Sequence, residues 1–152
     1  MNQYAVTISS SIIEYTNRLS AFFLEDYKKL LDPAFADLST RQKIVIEFLR
    51  TQSRTVGEIA AYFSITAAAA SQLVSKLEKQ QYAKRDINPD NRREILVTLD
   101  EKGRRYVDML DKLQMHLIEK YYLPLSSDDL RTLLELYAKL YAIALDRQTN
   151  ET

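Results

Sequence analysis

"FSITAAAASQLVSKLEKQQY", residues 63–82, decides the reading of this chain. Ala70, Leu73, Val74 and Leu77 fall at i, i+3, i+4 and i+7, the spacing that lines up four side chains along one stripe of an α-helix. Thr66 stands just ahead as a cap, because its hydroxyl can accept an amide that the first helical turn leaves unpaired. Four successive alanines, Ala67 to Ala70, open that helix with nothing but methyl groups. Upstream, "TVGE" at 55–58 spaces Thr55 and Glu58 as a capping box for a short helix through Ile59, Ala60 and Phe63. Two short helices joined across "SIT" make a helix-turn-helix.

Outward from this core, "YAKRDI" and "EILVTL" flank the turn-forming "NPDNRR", which predicts a β-hairpin with a charged tip. "TLDEKG" restarts a helix with Thr98 and Glu101 spaced for another capping box, running to about Leu123, where "LPLSSDD" breaks it. A final helix is expected from about Ser127 to Arg147. It carries two apolar stripes, Leu130, Leu134, Tyr137, Tyr141 and Ala144 on one side and Leu133, Leu136, Leu140 and Ile143 on another. Two stripes need two packing partners. In the other direction, Ile8, Ile12, Tyr15, Leu19 and Phe22 define a long first helix from about residue 4 to Leu31, stopped by Pro33. "STRQ" at 39–42 caps a second helix, with Ile44, Val45, Phe48 and Leu49 expected inward.

The composition agrees with a mainly α chain: 152 residues, 46% hydrophobic, with two glycines and three prolines. The absence of cysteine excludes a disulfide framework, a thiolate zinc site and a thiol redox switch, and fits a reducing compartment. No secretory signal or membrane-length apolar run is evident, so a soluble cytoplasmic protein is expected. Net charge is zero, yet Arg41 to Arg105 hold 13 Lys or Arg against 8 Asp or Glu. The middle of the chain is the basic part. With a single histidine, His116, no cysteine nucleophile and no glycine-rich phosphate loop, the sequence argues against an enzyme and calls for no metal or cofactor.

The ordered set of motifs resembles the MarR family of winged helix-turn-helix transcription regulators over nearly the whole chain. "LSTRQ" at 38–42 is similar to the family's "LTxxQ", "LEKQQYAKR" at 77–85 to "LExxGLVxR", "DNR" at 90–92 to the wing "DxR", and "LDEKG" at 99–103 to "LTExG". Gln81 stands where the family usually has Gly and Asp100 where it usually has Thr, so Gln81 is expected in a left-handed conformation. The resemblance implies one chain, 1–152, with a winged helix-turn-helix lobe at 37–103 and dimerisation helices at 1–36 and 104–152. It implies a homodimeric repressor on a pseudo-palindromic operator, with Ile8, Ile12, Tyr15, Leu19, Leu133, Leu136, Leu140 and Ile143 at the two-fold interface. It also implies release by a small aromatic or anionic effector, for which none of the ten tyrosines singles out a site.

Stepping about 100° per residue around the helix, the face opposite the buried stripe carries Ala68, Gln72, Ser75 and Lys79, flanked by Ala69, Ser71 and Lys76. Small methyls allow close approach to the major groove and can meet a thymine methyl, while Gln72 suits adenine. Thr66, Ala68, Ala69, Ser71, Gln72, Ser75 and Lys76 are therefore the expected groove contacts. The plainer alternative is that alanine is simply the best helix former. In the hairpin, Arg92 is expected in the minor groove, Arg93 and Lys84 or Arg85 on phosphates, and Asp90 orienting an arginine. The competing function is a winged-helix adaptor that binds protein instead of DNA.

Overall fold

In a computed structural model, which describes residues 2–150, the chain forms six α-helices and a small sheet. The elements are α1 (Gln3–Leu30), α2 (Thr40–Leu49), β1 (Arg54–Thr55), α3 (Val56–Tyr62), α4 (Ala67–Lys79), β2 (Ala83–Ile87), β3 (Ile95–Leu99), α5 (Glu101–Leu117) and α6 (Ser127–Asn150). A short 3-10 turn, Pro33–Phe35, follows α1, and a π-helical turn, Ile118–Tyr122, follows α5. The chain divides into two compact units, Met1–Leu113 and Gln114–Thr152. The expected 37–103 lobe lies wholly in the first.

Within that unit the core gathers one residue stripe from each element: Val45, Ile46 and Leu49 of α2, Ile59 and Ala60 of α3, Ala70, Val74 and Leu77 of α4, and Val97 of β3. Phe35, Tyr82 and Tyr106 join it, with the Phe35 ring 5.4 Å from Tyr106 in an edge-on contact. The sheet is antiparallel in the order β1-β3-β2, with Arg85 opposite Val97 and Lys84 opposite Thr98. Strand β1 was not foreseen. It is two residues long, and Arg54 and Thr55 pair with Val97 and Leu96.

Two local expectations are corrected. On α2, Ile44 is exposed and Ile46 is buried instead, because the inward stripe runs Gln42, Val45, Ile46, Leu49. The capping box draws the Gln42 side chain inside, where its Oε1 accepts from the Ser39 amide at 2.9 Å and its Nε2 donates to Gln80 at 2.6 Å. At α5, Thr98 is not the cap. It remains in β3 with its hydroxyl donating to Asp86, and the Asp100 carboxylate accepts the Glu101 amide at 2.8 Å.

Gly103 explains how closely this helix starts against the preceding chain. A Cβ at Gly103 would lie 2.0 Å from the Tyr82 carbonyl oxygen, which already accepts the Asp100 amide. In the second unit, α6 opens on Ser126, whose hydroxyl accepts the Asp129 amide at 3.1 Å. Of its apolar side chains Leu134, Leu136, Tyr137, Leu140, Tyr141 and Ile143 are exposed, while Leu130 and Leu133 are half-buried.

Candidate nucleic-acid interface

The α3–α4 pair is held by a turn that closes in the same way at both helices. After α3, Ser64 takes φ 51° and the Ile65 amide reaches back to the Ala60 carbonyl. After α4, Gln81 takes φ 64° and the Tyr82 amide reaches the Leu77 carbonyl. Both are left-handed closures of the kind usually given to glycine, at roughly 1 kcal/mol or more each for a larger residue. Thr66 then caps α4, its hydroxyl accepting the Ala69 amide at 3.1 Å.

With Ala70, Val74 and Leu77 fully buried, the remainder of α4 is presented outward: Ala68, Ala69, Gln72, Ser75 and Lys76 are exposed and Ser71 is half-buried. The wing follows, with Arg92 and Arg93 exposed at its tip. Among the described residues, Lys76, Lys79, Arg92 and Arg93 form no ion pair, nor do Arg41 and Lys43 of α2, which lie near the Phe63 and Tyr27 rings, whereas Arg54, Lys84 and Lys102 are neutralised locally. Lys84 meets Asp86 at 3.1 Å, Arg54 meets Glu58 at 3.5 Å and Lys102 meets Asp37 at 3.4 Å. Among the described residues Asp90 makes no side-chain bond to an arginine; its amide donates to Asn88 within the loop, and the Arg93 amide to Asn91.

Sequence reasoning missed two constellations. Arg85 lies across α4, donating to Glu78, to the Ser75 hydroxyl at 3.3 Å, and to the Ser71 carbonyl and hydroxyl at 3.0 and 3.1 Å. The other centres on Asp37, just before α2. Its carboxylate accepts from the Tyr82 hydroxyl at 2.6 Å, from Gln80 at 3.0 Å and from Lys102 at 3.4 Å, and the Lys102 ammonium sits 4.4 Å from the centre of the Tyr82 ring. The Tyr82 hydrogen bond is the main reason the Asp37 carboxyl is held below its ordinary value of 3.8. Burial, reinforced by Asp37, pushes the Tyr82 phenol upward. Neither constellation has a local sequence signal, although Gln42, which also bonds Gln80, was marked by its capping box.

Comparison with known proteins matches residues 36–94 to the MarR family model. The uncharacterised HTH-type transcriptional regulator YwhA of Bacillus subtilis (strain 168) is 26% identical over 91 residues. That match covers 60% of this chain and 66% of YwhA, just short of two thirds. Among solved structures, YusO of Bacillus subtilis is similar at TM-score 0.66 and 20% identity, covering 93% of this chain and 96% of YusO. MepR of S. aureus bound to ethidium bromide is similar at TM-score 0.73 and 16% identity, covering 86% and 94%. FabT of Streptococcus pneumoniae in complex with DNA is similar at TM-score 0.68 and 17% identity, covering 93% and 98%.

Proposed function

We propose that the chain is a MarR-type winged helix-turn-helix transcription regulator that binds duplex DNA sequence-specifically as a homodimeric repressor, a reading supported by the match of residues 36–94 to the MarR family model. The observation that carries this reading is the placement of unpaired cations: Lys76 and Lys79 on the outward side of α4 and Arg92 and Arg93 at the wing tip, around a smooth patch of Ala68 and Ala69. Helix α4 enters the major groove, where Gln72 and the alanine methyls read base edges and Thr66 and Lys76 meet the flanking backbone. Arg92 enters the minor groove while Arg93 and Lys84 hold phosphates, Lys84 leaving its exposed pairing with Asp86. FabT, similar in fold, was solved with DNA, which supports the same use of the lobe here.

Dimerisation completes the reading. Ile8, Ile12, Tyr15 and Leu19 on α1 and Leu136, Leu140 and Ile143 on α6 leave apolar side chains in water, more than single scattered residues would explain. A second copy covers them, with Leu133 at the margin. Two lobes then present their recognition helices to half-sites about 34 Å apart, one turn of DNA. Effector release belongs to the same proposal: an open pocket of about 310 Å³ lined by Phe35, Gln81, Asp100, Glu101, Lys102 and Arg105 adjoins the Asp37 network.

Selection of bound sequences from a random duplex pool tests the proposal. A pseudo-palindrome with half-sites about 10 base pairs apart centre to centre is expected. Recovery of unenriched sequence would contradict specific recognition.

A further inference from the structure

We propose that Arg85 is a positioning residue for DNA reading: it locks α4 to wing strand β2 and makes no phosphate contact of its own. The inference rests on the DNA-binding reading above and assigns Arg85, which the sequence left as an alternative to Lys84 on phosphates, a different part in it. Both guanidinium Nη groups are engaged on α4, by Glu78, Ser75 and Ser71, and the Arg85 amide donates to Glu78 Oε1 at 3.0 Å. Ser71, Ser75 and Glu78 stand at i, i+4 and i+7, each one residue after the buried Ala70, Val74 and Leu77. They form a polar seam between the core side of α4 and the side facing outward.

The seam is also shielded. The Arg85 and Glu78 side chains are 22% and 30% exposed, against 49% for both members of the neighbouring Lys84–Asp86 pair. A planar guanidinium that spans a carboxylate, a carbonyl and two hydroxyls at once fixes direction as well as distance, which an ammonium cannot do. Arg85 lies opposite Val97 in the sheet, so fixing it to α4 fixes the β2–β3 ladder that carries Arg92. The spacing between the base-reading side of α4 and the wing tip is therefore set before DNA arrives. Glu78 neutralises Arg85 throughout, and no counterion release is assigned to it.

The test compares the parent protein with Arg85→Lys, Arg85→Gln, Glu78→Gln and Arg92→Gln by fluorescence anisotropy. Each is titrated over a salt series on the selected operator and on random duplex, with melting followed by circular dichroism. Arg85→Lys and Glu78→Gln should each weaken operator binding by about tenfold or more, the scale of one lost specific contact. Their salt slopes should stay parallel to the parent's, and their preference for operator over random duplex should shrink. Arg92→Gln removes one charge from each subunit and should flatten the slope by about two for the dimer, about one per lost charge. The proposal is overturned if Arg85→Lys binds like the parent, if Arg85→Gln flattens the slope, or if Glu78→Gln tightens binding by freeing the arginine. Should Arg85→Gln fail to fold, the other two variants decide. A folded parent protein that binds no duplex at all would instead remove the DNA-binding reading itself.

Discussion

Ala70 is completely buried beside Val74 and Leu77, whereas Ala68, two positions earlier, is exposed. Glutamate therefore has opposite consequences at the two sites. Ala70→Glu would bury a carboxylate among Val74, Leu77 and Ile59 and should cost several kcal/mol or prevent folding. Ala68→Glu should melt close to the parent by circular dichroism and fail to bind DNA, because a charge and bulk now stand where close approach is needed. A second pair of residues concerns the backbone. Gln81 at φ 64° should gain roughly 1 kcal/mol on replacement by Gly, read as a higher urea midpoint with an unchanged slope. The left-handed conformation of Gln81 was legible because the resemblance assigns that position to glycine. Ser64 adopts the same conformation without any such signal, since "SIT" contains no glycine or asparagine to mark it.

Between elements, the helices were legible from periodicity and caps, and the capping boxes at Ser39 and Thr55 form as their spacing predicts. Spacing failed at Thr98 because two structures compete for that residue, and pairing with Lys84 in the ladder wins over capping. The Asp37 network was illegible for a different reason: its bonds join residues 43 to 65 positions apart, beyond any local pattern. It nonetheless makes a measurable prediction. A carboxyl whose folded value is depressed adds stability that is present above its ordinary value of 3.8 and is lost as pH falls through the lower folded value. Stability should thus drop on acidification below about pH 4, and Asp37→Asn should remove that part of the acid slope while lowering stability at neutral pH. An acid unfolding profile of Asp37→Asn parallel to the parent's would show that the network contributes nothing through Asp37.

At the scale of the molecule, a net charge of zero conceals a basic stretch from Arg41 to Arg105, and local ion pairs neutralise much of that stretch as well. Of the cations left unpaired, Lys76, Lys79, Arg92 and Arg93 lie on the outward side of α4 and the wing tip, while Arg41 and Lys43 lie on α2 near the Phe63 and Tyr27 rings. The charge imbalance was readable in the sequence; which cations stay unpaired was not, because pairing depends on the fold. The apolar stripes of α1 and α6 were equally readable, and their exposure in the folded chain is what the proposed dimer would relieve. No helix among the described residues is long and apolar enough to cross a membrane, so a bilayer-spanning helix is not what these stripes form.

The central claim is that this lobe grips the DNA backbone as a dimer, and affinity for duplex DNA across a salt series tests it most directly. Each phosphate contact releases condensed counterions, so the logarithm of affinity should fall linearly with the logarithm of salt, with a slope of about −0.9 per contact. Lys76, Lys79, Arg92 and Arg93 of α4 and the wing tip, four in each of two subunits, predict a slope of about −7 and a loss of roughly 10⁴-fold between 50 and 200 mM salt. Affinity that is flat across that range, or no binding at its low end, would contradict the account.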